Sequence, residues 1–207
     1  MGKLYIVRHG ETQWNAEGRV QGHTDIELSD QGRRQAQTLA RRLANVPFDA
    51  AYSSDLSRCT ETARIILGES PVPLHTTPQL REYNKGVFEG LTVHEYRRRF
   101  PDLYRASLVN DLDFAPTGGE TMRQTSARMA AFVEQVNGRH LDDTVLVVGH
   151  GGSLRSLLVG LLSLPLEANW RFIMGNCALT QVYTYPDNAV LHLYNDTSHL
   201  DGLRTEV

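Results

Sequence analysis

The 207-residue chain has only two cysteines, Cys59 and Cys177. Two are too few for a disulfide framework or a cysteine-built metal cluster, and a reducing compartment, the cytoplasm, is the expectation. Long apolar runs are missing as well. The most apolar stretch, Leu157-Leu158-Val159-Gly160-Leu161-Leu162, is far short of the roughly 20 residues needed to cross a bilayer and reads as a buried helix. No charged-then-apolar signal segment opens the chain. There is no basic excess either: 21 lysines and arginines face 24 acidic residues, a formal net charge of −3. Nucleic-acid and membrane-surface partners generally need a positive face, so neither is expected. A dinuclear metal hydrolase would need inward histidines and carboxylates at ligand spacing. The eight histidines contain no His-x-His or His-x-x-His pair, so no metal and no cofactor is expected. Repeats, low-complexity tracts and linkers are also lacking, and residues 1–207 read as a single domain.

With 41% hydrophobic and 22% charged residues, the chain can bury a full core. Strand-like and helix-like segments alternate along it. Ser29 is the expected N-cap of a helix reaching to about residue 45, with Asp30 in its first turn. A short strand over 49–53 leads to a helix opened by Asp55 or Ser57 and capped by Gly68. An amphipathic pattern fills 120–140, with Met122, Ala130, Phe132, Val133 and Val136 on its apolar stripe. Thr144-Val145-Leu146-Val147-Val148 has the all-apolar look of a parallel strand buried on both faces. A helix over 151–162 follows it. Strands over 179–185 and 190–194 flank the turn Pro186-Asp187-Asn188 as a hairpin. Segments 69–78 and 105–119 read as loops or lids. This alternation predicts a three-layer α/β/α sandwich with a mostly parallel sheet and a hairpin at one edge.

Chemistry concentrates where strands end. Leu4-Tyr5-Ile6-Val7 runs into Arg8-His9-Gly10-Glu11-Thr12, and in open α/β sheets ligands gather beyond the carboxyl ends of strands. Val147-Val148-Gly149-His150-Gly151-Gly152 repeats the arrangement, and a helix starting at Gly151 or Gly152 would aim free backbone amides at the site. Arg58 falls in the first turn of a helix, where a cation is locally unfavourable and a bound anion would remove the conflict. Pairing of Arg58 with Asp55 or Glu61 is the purely structural alternative. An ester cleavage that expels an alkoxide needs a proton donor, and a carboxyl beside an anionic group has its pKa raised. Glu82, Glu89 and Glu11 could each serve.

Four segments in this order are similar to the histidine phosphatase superfamily, the phosphoglycerate-mutase-like group. They are Arg8-His9-Gly10-Glu11-Thr12 with Asn15, the stretch from Ser54 to Ala63 around Arg58, Glu82 with Gly86 and Glu89-Gly90, and Gly149-His150-Gly151. The tail Asn195-Asp196-Thr197-Ser198-His199-Leu200 resembles the ending of a bacterial phosphatase branch. The resemblance implies that His9 is the nucleophile forming a phosphohistidine, that Arg8, Arg58 and His150 surround the transferring oxygens with Asn15 beside them, and that Glu82 donates the proton and later activates water. His150 is expected as an imidazolium, and a backbone carbonyl near Gly10 or Gly149 as the group fixing the His9 tautomer. Thr12, Gln21, His23 and Gly151 are expected pocket neighbours.

A small phosphorylated metabolite is the implied partner. The function implied is metal-independent phosphomonoester hydrolysis, as in broad-specificity phosphatases, α-ribazole-phosphate phosphatases and metal-independent phosphoserine phosphatases. Mutase members are longer, with an insertion and adjacent arginines after the glutamate and asparagine where this chain has Gly152. A cofactor-dependent mutase is therefore the second reading and a non-catalytic phospho-ligand module the third. Specificity is expected from 105–119, from 170–176 and from His199. The apolar helix over 154–166 with Trp170 would serve either a homodimer face or the core.

Overall fold

Along the first strand, β1 (Gly2–Arg8), Leu4 and Ile6 enter one core while Tyr5 and Val7 pack into another. The same division recurs on β4 (Thr144–Gly149), where Val145 and Val147 face one side and Leu146 and Val148 the other. Strands apolar on both faces must be covered on both faces. In the computed structural model, which describes residues 1–205, helices do this. Glu206 and Val207, the end of the anticipated 1–207 unit, lie outside the described residues.

One layer contains α6 (Met122–Arg139) and α7 (Gly151–Leu161), which bring Met129, Phe132, Val136, Leu154, Leu157, Leu158 and Leu161 to the first core. The other contains α2 (Asp30–Leu43) and α3 (Ser57–Leu67), with Ala36, Leu39, Leu43, Cys59, Ala63 and Ile66 in the second. Between them lies one six-stranded sheet in the order β3-β2-β4-β1-β5-β6, completed by β2 (Ala50–Ser54), β3 (Leu74–Thr77), β5 (Leu179–Tyr185) and β6 (Asn188–Asp196). The first four strands are mutually parallel. β5 and β6 form an antiparallel hairpin on the edge beside β1. This is the anticipated three-layer sandwich. Among the described residues no helix is long and apolar enough to cross a membrane.

Local chemistry sets most boundaries. Ser29 caps α2 by accepting from Gly32 N, Thr121 and Gln124 form a capping box on α6, and Gly68 ends α3 at φ 54°. Several expectations are corrected. Of the two residues expected to open α3, Ser57 is its first residue, behind Leu56 with no side-chain cap, while Asp55 is bonded twice by Arg81 at 2.7 and 2.6 Å. Met122, Phe132 and Val136 are buried on α6 as expected, but Met129 takes the core position expected of the exposed Ala130. Segment 69–78 contains β3, an edge strand with no buried side chain and hence no apolar alternation to read. Segment 105–119 begins inside α5 (Pro101–Ser107), which follows α4 (Val93–Arg99). The leucines of α7 pack in the core, one of the two roles anticipated for them.

The layering opens the site. The chain leaves β1 toward α2 on one face and leaves the adjacent β4 into α7 on the other, so a crevice separates the two connections. This is the topological switch point at which α/β sheets bind ligands. The loop after β1 is anchored there by glycine packing. A Cβ on Gly10 would lie 2.6 Å from Gly32 O, and one on Gly32 would lie 2.1 Å from Glu11 O. Gly32→Ala therefore sets a helix-propensity gain of up to about 1 kcal/mol against overpacking that typically costs about 1–3 kcal/mol. Denaturant unfolding should show a net loss, whereas Gly138→Ala, with open space around it, should be neutral or stabilising.

Candidate active site

Arg8 pairs with Gly149 across β1 and β4, so the next residues, His9 and His150, stand side by side with ring centroids 5.1 Å apart. The His9 backbone is tied at both ends: its N–H donates to Gly149 O at 3.0 Å, and its carbonyl accepts from Asn176 Nδ2 at 3.0 Å. Nδ1–H of His9 donates to Gly10 O at 2.7 Å. That bond leaves Nε2 as the bare nitrogen, the tautomer a nucleophile requires. Burial, reinforced by the charges of Arg58 and Arg8, holds the His9 pKa well below its ordinary value.

Arg58 is fully buried. Its Nη1 and Nη2 donate to the carbonyls of Thr24 and Gly22, each at 2.8 Å, and its Nε donates to His150 Nδ1 at 3.2 Å. Both carboxylates that could have paired with it are engaged elsewhere, Asp55 by Arg81 and Glu61 by Arg33. The structural alternative for Arg58 is thereby set aside. Because His150 Nδ1 accepts, Nε2 carries the proton and donates to Ser54 Oγ at 2.9 Å. Burial, Arg58 and His9 push the His150 pKa well below the usual histidine range. The imidazolium expected at this position is corrected to a neutral ring that anchors Arg58.

Glu82 lies where the sequence suggested, but its environment differs. The α7 amides do not face open space: Gly152 N and Ser153 N donate to the two Glu82 oxygens at 2.9 and 3.0 Å, and Tyr83 N adds a third bond at 2.9 Å. Burial works to raise the Glu82 pKa. The Lys85 charge and the amides of Gly152 and Tyr83 outweigh it, so the group sits below its ordinary value and is ionised in the free protein. A Cβ at residue 152 would stand 2.4 Å from Glu82 Oε1, so only glycine admits this contact.

Arg8, His9, Asn15, Gln21, Arg58, Glu82 and His150 line one cavity of about 250 Å³. Arg8 Nη1 donates to Met174 O at 2.7 Å, while its Nε is buried without a partner. Asn15 Oδ1 accepts from Thr12 N at 3.1 Å, which leaves its amide NH₂ for a ligand. Gln21 Oε1 is buried and unpaired. Thr12 is a correction: its hydroxyl caps α1 (Gln13–Ala16) and it does not line the cavity. Gly151 borders an adjoining chamber beside the Arg8 guanidinium. His23 Nε2–H holds the Glu82 carbonyl at 2.8 Å.

The other two carboxylates hold structure. Glu11 accepts from Ser29 and Gln31, and Glu89 binds the amides of His23, Thr24 and Lys85. His199 bonds Cys177 O at 3.0 Å and borders none of the chambers around the site. Two residues that sequence reading passed over belong here, Lys85 and Arg155, and Asn176 comes from the 170–176 segment expected to bear on specificity. Arg155 had a signal, being the lone cation within the apolar run of α7. Among the described residues no group of three His, Cys, Asp or Glu side chains could hold a metal ion.

The depressed histidine pKa values give stability a definite pH dependence. Below the ordinary value of 6.5, the unfolded chain binds protons that buried His9 and His150 do not. Each then costs up to about 1.4 kcal/mol per pH unit as pH falls from 6.5 toward the folded-state pKa, and nothing above it. Unfolding free energies measured between pH 7 and 5 should therefore fall less steeply for His9→Ala than for the wild type, by about one proton.

Comparison with known proteins agrees with this geometry. The sequence profile of the Histidine phosphatase superfamily (branch 1) matches residues 4–197. Phosphoglycerate mutase-like protein 4 of Arabidopsis thaliana is 40% identical over 158 residues, 75% of this chain and 69% of that protein. Phosphoserine phosphatase 1 of Hydrogenobacter thermophilus is 32% identical over 206 residues, 100% of this chain and 98% of the other. The crystal structure of the α-ribazole phosphatase from Shigella flexneri superposes with a TM-score of 0.88 at 31% identity, covering 94% of this chain and 96% of that one. Two histidines at the ends of neighbouring parallel strands, the arginines around them and a profile match along nearly the whole chain lead to one assignment: this protein belongs to branch 1 of the histidine phosphatase superfamily.

Proposed function

We propose that the chain acts as one metal-independent phosphomonoesterase domain, moving the phosphoryl group of a small phosphorylated metabolite first to His9 and then to water. The observation that carries this reading is the His9 ring, with Nδ1 committed to Gly10 O and Nε2 bare in a cavity lined by the guanidiniums of Arg8 and buried Arg58. In the first step Nε2 attacks phosphorus, the bond to the ester oxygen breaks, and Glu82 protonates the departing alkoxide. In the second, Glu82 takes a proton from water, the hydroxide attacks phosphorus, and the N–P bond breaks. Charge on the equatorial oxygens is met by Arg8 and Arg58, so positioning and electrostatics carry the transfer.

Glu82 must be protonated to act as an acid, yet the free protein holds it ionised. A dianionic phosphoryl group beside it opposes its charge and raises its pKa. The substrate thus arms the donor. Although relatives named as probable phosphoglycerate mutases match the chain length as well, hydrolysis is favoured over the mutase reading by the short tract after Glu82 and by the phosphatases among the similar solved structures. Their names make phosphoserine and α-ribazole phosphate candidate esters.

Inorganic phosphate release in EDTA from a panel of esters tests the proposal. Release should persist in chelator, and loss of turnover restored by added metal would overturn the metal-free scheme. His9→Ala should reduce turnover by at least about a thousandfold, since the covalent route is gone while the binding site stays. Glu82→Gln should lower kcat by about 10²–10⁴ for esters with poor leaving groups and much less for p-nitrophenyl phosphate, whose leaving group needs no proton.

A further inference from the structure

His199 touches no chamber of the site, yet both nitrogens of its ring are committed. Arg42 Nη1 donates to its Nδ1 at 3.0 Å, and a guanidinium can only donate. Nε2 therefore carries the proton and donates to Cys177 O at 3.0 Å. Arg42 is itself held by Asp196 and Ser198. Burial draws the His199 pKa below its ordinary value, which keeps Nδ1 an acceptor. Cys177 is the third residue of a tight turn over 175–178, closed by Ala178 N donating to Gly175 O at 3.1 Å. Its φ is 51°, in the left-handed region that turns reserve at this position for glycine or asparagine. A bulkier residue persists there only where its surroundings over-determine it, and such strain gathers at functional sites. The surroundings do so here. Gly175 N donates to Asn195 Oδ1 at 2.8 Å, the Cys177 thiol packs in the second core, and His199 holds the carbonyl.

The inner side of this turn grips the strand end that carries His9. Cys177 N donates to Arg8 O at 3.0 Å and to His9 O at 3.3 Å, and Asn176 Nδ2 donates to His9 O at 3.0 Å. Just before the turn, Met174 O accepts from Arg8 Nη1 at 2.7 Å. β1 ends at Arg8, and beyond the bond from His9 N to Gly149 O the sheet itself no longer holds the chain. The His9 carbonyl belongs to the peptide joining His9 to Gly10, whose rotation decides whether Gly10 O can accept from Nδ1 of the ring. We infer that His199 is a positioning residue: its Nε2–H locks Cys177 in the left-handed conformation, and the turn thereby fixes the His9 backbone and aims Nε2 of that ring. The inference rests on His9 being the group that takes the phosphoryl group. Gly10 N, donating to Thr62 Oγ1 at 3.0 Å, anchors the loop on its far side. Loss of the clamp should therefore displace the ring rather than unfold the loop.

Single-turnover release of p-nitrophenolate from p-nitrophenyl phosphate, at saturating enzyme, reads transfer to His9 and is insensitive to any inactive fraction. His199→Phe keeps a ring but has no donor, and should slow this step by about ten- to a hundredfold. Its Kd for inorganic phosphate should stay within about threefold of the wild-type value, because the anion-binding groups remain. His199→Gln, whose amide can donate to Cys177 O, should recover most of the rate. Arg42→Met frees the ring without removing its donor, and should slow transfer in the same direction but less, which keeps the inference testable should His199→Phe fail to fold. An unchanged transfer rate in His199→Phe, with only the thermal unfolding temperature lowered, overturns the inference. So does equal slowing in His199→Phe and His199→Gln. A wild-type protein that cleaves no ester overturns the phosphatase reading instead, and nitrogen-15 NMR of the histidine rings then decides the clamp. The His9 Nδ1 signal should move in His199→Phe and not in His199→Gln, and a signal unmoved in both overturns the clamp as well.

Discussion

Arg58 carries a full positive charge into the interior, and among the described residues no carboxylate is bonded to it. Removing such a charge from water is expensive, and a paired anion is the usual remedy. Here two backbone carbonyls and an imidazole nitrogen take its place, and much of the surrounding structure serves to aim them. Glu89 ties down the amides around residues 22–24 so that the carbonyls of Gly22 and Thr24 point at the guanidinium. Asp25 accepts from Ser57 N and Oγ, joining that loop to the start of α3. The unmatched charge then makes the pocket receptive to an anion and adds to the burial that holds the pKa of both neighbouring histidines down.

The sheet supplies the second constraint. β1 and β4 are adjacent and parallel, and their one-to-one register brings His9 and His150 side by side. Because the connections leave these strands on opposite faces, the two rings meet in an open crevice rather than in a core. Glu82 arrives from a third direction, after β3, and is fixed by the first amides of α7. The partial positive charge of a helix N-terminus, expected to meet substrate, instead holds the acid–base group in place. That arrangement explains why glycine stands at 152, where a side chain would collide with the carboxylate.

Legibility in the sequence followed burial. β1, β4 and α7 are apolar enough to be read directly, and the caps at Ser29 and Gly68 act through chemistry that is local in sequence. β3 was invisible because an edge strand with no buried side chain carries no alternation. Ala130 was mistaken for a core position because alanine fits either face, and Met129 beside it was decided by packing. In the site, His9, His150, Arg58 and Glu82 were legible from strand ends and from family resemblance. Thr12 was misassigned because a hydroxyl beside a catalytic loop looks the same in sequence whether it caps a helix or touches a ligand.

By itself, the sequence determined the layered fold, the two strand-end histidines and the absence of a cysteine framework, since each rests on periodicity, composition or residues close together in the chain. Only the tertiary structure decided which carboxylates were free. Asp55 and Glu61 are engaged by Arg81 and Arg33, and Glu82 by the start of α7. The charge state of a buried group depends on neighbours brought from distant parts of the chain and on their removal from water. No local pattern encodes either.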